Sequence, residues 1–265
     1  MHLRDHRFAD AGFTAIVAHR GGAKQWPENT VDALEGALGI GPVGVDAVEV
    51  DVHPSSDGVV VVVHDARLHR TTPAAGLVVE HTAQQLQEIV PHDAQHGIAT
   101  LTTWAERLHA ESVALSLELK VDVDNQPYPG LEAACVDVLR ATRTADAAMV
   151  HSFSFAQLKT LRALDDNLFL GANVEQDTED AAGSFAALVD EVKALGAGNL
   201  NADFRMMTEA KLQAAHDAGL TVTLWTVDDD DDLIRWMQAG VDVIATDRPT
   251  RALELRVELQ ASAPR

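Results

Sequence analysis

His19-Arg20-Gly21-Gly22 and His64-Asp65 carry side chains that can move a proton and grip a phosphate. An imidazole changes its charge near neutral pH. The adjacent guanidinium offers a rigid fork of donors matched to phosphate oxygens. The two glycines let the backbone turn sharply and come close to a ligand. A His-Arg pair by itself is more often structural, and His64 alone decides nothing, so the weight falls on their neighbours.

Glu49 and Asp51 alternate with Val48, Val50 and Val52. Residues two apart on a strand point the same way, so the carboxylates share one face and the valines the other. Burying two anions together is costly without a counter-charge. A hard divalent cation, magnesium or calcium, provides one, since both prefer oxygen ligands. The competing reading leaves the acids of a half-exposed strand in water, and the following apolar run Val59–Val63 weakens it. Ser116-Leu117-Glu118-Leu119-Lys120 repeats the alternation, with Glu118 and Lys120 on one face. Glu118 could complete a metal site and Lys120 could neutralise a phosphate oxygen. A Glu–Lys pair on an exposed edge explains the same residues equally well.

Taken together, two histidines, three carboxylates, an arginine and a lysine form a phosphodiester-cleaving set. The cations stabilise charge growing on the phosphoryl oxygens. One histidine activates the attacking oxygen and the other protonates the leaving one. The chain has 12 histidines, and His92, His96 and His109 are expected to do no chemistry.

The elements that must position these groups are short apolar runs alternating with amphipathic stretches. Strands are predicted at Ala15–Ala18, Ala47–Val52, Val113–Leu119, Ala148–His151, Phe169–Asn173, Gly198–Asn201, Thr221–Thr226 and Val243–Thr246. Helices are predicted at Thr30–Leu38, Thr102–Ala110, Gly130–Ala141, Phe155–Leu164, Asp180–Leu195, Thr208–Ala218, Asp229–Ala239 and Pro249–Leu259. Strand–helix alternation argues for a parallel sheet with covering helices, and this many repeats favour a closed barrel. The fold class expected is therefore α/β, a (β/α)8 TIM barrel, filling residues 1–265 as one domain. Ser55-Ser56-Asp57-Gly58 reads as a turn leading into Val59–Val63, which extends the second strand as a hairpin. An insertion follows at about 66–100, with weak periodicity, over one end of the barrel. Strand ends of that kind are where such barrels keep their chemistry. Asp228–Asp232 is expected to start a helix rather than bind a cation. Cys135 is expected to be inert core.

Charge narrows the partners. Forty-one acidic residues against 20 basic ones give a formal charge of −21, which repels nucleic acid and anionic lipid. A small-molecule phosphodiester would need the local cations described above. The single cysteine excludes an intrachain disulfide. Residues 1–12 lack an apolar leader core, and no apolar run is long enough to span a membrane, so a cytoplasmic location without stable membrane insertion is expected. A homodimer is left open.

At these residues the chain resembles the glycerophosphodiester phosphodiesterase family. The resemblance is carried by His19-Arg20-Gly21, Pro27-Glu28-Asn29-Thr30, Glu49-x-Asp51-Val52, Asp57-Gly58, His64-Asp65 and Leu68-x-Arg70-Thr71-Thr72. Leu117-Glu118-Leu119-Lys120, Leu224-Trp225-Thr226-Val227 and Asp247-Arg248-Pro249 continue it to the end of the barrel. It implies one divalent metal ion, Mg2+ or Ca2+, on Glu49, Asp51 and Glu118. It implies His19 and His64 as the acid–base pair, with Arg20 and Lys120 on the phosphate. It places Trp225 against the glycerol moiety, although barrel packing accounts for Trp225 equally well. Glu28 and Asn29 are expected to cap the helix that follows them. The implied reaction is hydrolysis of a glycerophosphodiester to glycerol 3-phosphate and an alcohol. Two rivals are a lysophospholipase D-like or other phosphodiesterase on the same site and a non-catalytic barrel that binds phosphoesters.

Overall fold

The computed structural model describes residues 13–41 and 44–262. The expectation about residues 1–12, and residues 42 and 43 of the first helix-to-strand connection, lie outside the described residues. The strands are β1 (Ala15–Ala18), β2 (Ala47–Pro54), β3 (Val60–Val62), β4 (Ala114–Leu119), β5 (Ala148–Ser152), β6 (Phe169–Val174), β7 (Asn199–Asp203), β8 (Thr221–Trp225) and β9 (Val243–Thr246). They form one sheet in the order β1-β9-β8-β7-β6-β5-β4-β2-β3, and β1 also pairs with β2. That last pairing closes a parallel eight-stranded barrel, with β3 left as an antiparallel extension of β2.

Helices α1 (Val31–Leu38), α2 (Ala83–Glu88), α3 (Leu101–Glu111), α4 (Leu131–Ala141), α5 (Phe155–Leu164), α6 (Gln176–Ala182), α7 (Phe185–Ala194), α8 (Glu209–Asp217), α9 (Asp230–Gln238) and α10 (Pro249–Ser262) follow the strands. Outward-facing strand residues and inward-facing helix residues make the main core. On β2, Val48, Val50 and Val52 are fully buried in it. Each such side chain contributes on the order of 1.5–3 kcal/mol by leaving water. None of the described helices is long and apolar enough to cross a membrane.

Two expected elements differ. The stretch 180–195 is not one helix, because Gly183 takes φ 85° and ends α6, and Ser184 caps α7 by accepting from the Ala187 amide. A left-handed glycine followed by a serine cap stops one helix and starts the next. The insertion is also more ordered than its weak periodicity suggests. Leu68, Val78, Leu86 and Ile98 pack with Val61 and Val63 of the hairpin into a small core of their own. Thr82 and Gln85 close a capping box on α2. Asp229–Asp232 start α9 as read, with Asp229 accepting from the Asp231 amide, while Asp228 lies outside the helix and accepts from Lys24 at 2.8 Å. Cys135 is buried, and burial pushes its thiol pKa up.

Candidate active site

The loop after β1 is a tight 3-10 turn over His19–Gly21. Gly21 has φ 82°, and a Cβ there would lie 2.6 Å from the Ala33 Cβ, so only glycine fits. The turn aims the Arg20 amide at Glu49, whose Oε2 accepts from it at 2.8 Å. The Arg20 guanidinium lies between two acids, donating to Glu28 at 3.2 Å and reaching Asp51 at 3.5 Å. Its Nε is buried and has no hydrogen-bond partner.

Glu49, Asp51 and Glu118 converge inside the barrel. The parallel register sets Asp51 beside Glu118 and Glu49 beside Ser116. Period-two alternation therefore turns all three carboxylates inward, and each is buried. One oxygen from each lies within 4.8 Å of the other two. Lys120 follows on the same face, and its ammonium bridges Asp51 at 2.8 Å and Glu118. Burial and the charge of Asp51 push Glu49 well above the usual carboxylate range. Burial would raise Asp51 too, but Lys120, His64 and Arg20 override it and hold that carboxyl low. Burial opposes the charge on Lys120, yet Asp51 and Glu118 leave its pKa raised.

Each of the two histidines is held by an aspartate. His19 Nδ1 meets Asp247 at 2.7 Å, and His64 Nδ1 meets Asp65 at 2.6 Å. A carboxylate only accepts, so Nδ1 carries the hydrogen and Nε2 is left for chemistry. For His19, burial lowers the pKa, but the Asp247 hydrogen bond and the charge of Glu49 outweigh it, and the net shift is upward. For His64, burial lowers the pKa, Asp51 pulls it up, and Lys120 and Arg20 push it down; the net shift is downward. Both rings line one cavity of ≈ 150 Å³ together with Arg20, Glu49, Glu118 and Lys120. Trp225 lines its wall, tied by Nε1 to the Asn201 carbonyl at 3.0 Å, with Phe153 edge-on at 5.6 Å.

A family model, the Glycerophosphoryl diester phosphodiesterase family, matches residues 19–251. The chain belongs to this family. It is therefore an enzyme, a hydrolase of phosphoric diesters on a TIM barrel. It is 29% identical to a glycerophosphodiester phosphodiesterase of Bacillus altitudinis, over 93% of this chain and 100% of that one. A phosphodiesterase of Oleispira antarctica, solved with the product sn-glycerol-3-phosphate, superposes with a TM-score of 0.80 at 27% identity. That match covers 92% of this chain and 96% of the other. A glycerophosphodiester phosphodiesterase structure from Agrobacterium tumefaciens shares the fold, with a TM-score of 0.76 at 24% identity over 91% and 99% of the two chains.

In this family member, His19, Arg20, Glu49, His64, Glu118, Lys120 and Trp225 line one cavity, and a carboxylate oxygen of Asp51 lies within 4.8 Å of those of Glu49 and Glu118. The capping role expected for Glu28 and Asn29 is wrong. Thr30 caps α1, accepting from the Ala33 amide at 3.1 Å. Asn29 instead donates to Asp51 at 2.8 Å, and Glu28 accepts from both Arg20 and Arg70. The tie rests on the left-handed backbone of Asn29, φ 56°, which asparagine tolerates. Sequence reasoning also missed Asp247 and Asp65 as histidine partners, although both stand in the quoted motifs. It missed His151, buried in the barrel and bonded to Ser116 and Asn173. Its only signal is a histidine at the end of the predicted strand Ala148–His151.

Proposed function

We propose that the chain hydrolyses glycerophosphodiesters to glycerol 3-phosphate and an alcohol, using a divalent cation held by Glu49, Asp51 and Glu118. One observation carries the reading: two imidazoles, each braced through Nδ1 by an aspartate, face one cavity beside three convergent buried carboxylates. The donor set fits a hard cation. All three ligand groups are oxygens, and Glu49 Oε1 is buried with no hydrogen-bond partner, an uncompensated acceptor. When bound, the cation would neutralise charge on the phosphoryl oxygens. Magnesium and calcium both suit this set.

The side chains then divide the work. His64, kept neutral by its surroundings, accepts the proton of the attacking oxygen at Nε2. That oxygen bonds to phosphorus as the ester P–O bond breaks. His19, held protonated by Asp247, gives its Nε2 proton to the departing alcohol. Arg20 and Lys120 face the phosphate oxygens, and Trp225 flanks the glycerol. The attacking oxygen is water or the substrate's own glycerol hydroxyl, and accumulation of a cyclic phosphate distinguishes the second.

The relative solved with sn-glycerol-3-phosphate supports the substrate. The test is a panel of glycerophosphodiesters with coupled detection of glycerol 3-phosphate. Release from at least one of them is expected, and silence across the panel with magnesium and calcium would overturn the reading.

A further inference from the structure

One buried histidine is joined to the site by hydrogen bonds without facing the cavity. His53 stands two residues beyond Asp51 on β2 and is 1% exposed. Its Nε2 lies 3.0 Å from the carbonyl oxygen of His64, and its Nδ1 lies 3.1 Å from the Tyr128 hydroxyl. The Tyr128 ring meets the imidazole edge-on at 5.5 Å. A carbonyl only accepts, so Nε2 of His53 must carry its hydrogen. A buried imidazole with no carboxylate partner stays neutral, so Nδ1 accepts from the Tyr128 hydroxyl. The donation runs one way, from Tyr128 through His53 to His64.

The accepting carbonyl belongs to the peptide that joins His64 to Asp65. Tilting that peptide plane would move the Asp65 carboxylate relative to the His64 ring, and with it the 2.6 Å contact that sets the tautomer. Tyr128 also closes the short loop that starts just after Lys120, pinned by the Val121–Pro127 bridge. The relay thus joins both sides of the site through groups that touch no reacting atom. Polar groups this deeply buried are costly unless paired, and here each pairs with the next.

We propose that Tyr128 and His53 are positioning residues that hold the His64–Asp65 pair in its working geometry. The proposal rests on the role given to His64 above. The competing account is packing alone, in which the two rings only fill space.

Three variants of the full chain separate the two: Tyr128→Phe, His53→Leu and His53→Gln. Phenylalanine and leucine keep the bulk and lose the relay. Glutamine can donate through its amide nitrogen and accept through its oxygen, so it restores the chain of bonds. Tyr128→Phe and His53→Leu should lower kcat about tenfold or more with KM within about twofold, because the loss is of orientation and not of binding. His53→Gln should recover most of the loss. The double variant His53→Leu/Tyr128→Phe should be no worse than His53→Leu, since both cut one path. Equal impairment in the Gln and Leu variants, or a rise in KM with kcat unchanged, would overturn the relay. Should His53→Leu fail to fold, Tyr128→Phe removes a single oxygen and still decides. The low-field proton of the His64–Asp65 hydrogen bond, followed by NMR, gives a readout without turnover. It should shift and exchange faster in Tyr128→Phe, and an unchanged signal would count against the relay even if no substrate is found. Wild-type inactivity across the diester panel would instead sink the hydrolase reading.

Discussion

His19 Nδ1 lies 2.7 Å from Asp247 Oδ1, although 228 residues separate them. The barrel makes this contact. Strands β1 and β9 pair with Ala18 beside Thr246, so the next residue on each chain falls at the same level. His64 gets the same kind of partner from its immediate neighbour, Asp65. Two different chain geometries give both imidazoles an Nδ1–H held by a carboxylate.

His19→Ala and His64→Ala should each lower kcat by about two to four orders of magnitude, the range of a lost general acid or base. Asp247→Asn should cost about two to four orders of magnitude, because the amide weakens the hydrogen bond that, with Glu49, raises the His19 pKa. Steady-state kinetics with a near-ultraviolet circular dichroism control checks this. Near-normal turnover in any of the three removes that residue from the mechanism.

The pH profile follows from the two opposite shifts. His64 must be neutral, and its pKa is lowered, so the rate falls only as pH drops through that lowered value. His19 must be protonated, and its pKa is raised, so the rate falls as pH rises through that raised value. The acid limb of kcat/KM should therefore lie below the ordinary histidine value and the alkaline limb above it. In Asp247→Asn the alkaline limb should move to lower pH, since the amide oxygen can still accept from Nδ1 but no longer carries the charge that strengthens the bond. An alkaline limb that stays in place would show that it does not belong to His19.

Chelation with EDTA should abolish turnover, and magnesium or calcium should restore it. Binding should also stabilise the fold without any substrate. At 100 times Kd the gain is about 2.7 kcal/mol, which corresponds to roughly 5–10 °C in Tm for a chain of this size. Glu49→Gln and Glu118→Gln should lose that shift. A melting curve indifferent to either ion in the wild type would end the metal reading.

Asn29 is buried and serves Asp51 twice, donating to its carboxylate at 2.8 Å and accepting from its amide at 3.3 Å. Asn29→Ala should destabilise the protein by about 2–3 kcal/mol, from the lost hydrogen bonds and the left-handed backbone together. Asn29→Gly should recover only the backbone part. Urea denaturation separates the two, and a neutral Asn29→Ala would show that Asp51 does not depend on this tie.

Local pattern made much of this molecule legible. The Val-Glu-Val-Asp-Val alternation at Val48–Val52 states which side chains share a face, because a strand repeats every two residues whatever surrounds it. The strand–helix alternation stated the barrel in the same way, with strand ends within two residues of those found. Caps such as Thr30, Ser154 and Thr208 acted locally as well, so the starts of α1, α5 and α8 fell within one residue of those read.

What tertiary structure alone decided is partnership across the chain. Nothing near Asp247 says that it will face His19, and nothing near Tyr128 says that it will reach His53. Glu28 and Asn29 look like capping residues next to α1, and only the approach of Arg70 and Asp51 assigns them elsewhere. Gly183 broke a helix whose periodicity ran straight through it. Periodicity is a property of a few neighbouring bonds and is written residue by residue. The register of a closed barrel depends on all its staves at once, so the contacts it creates exist only after the last strand has met the first.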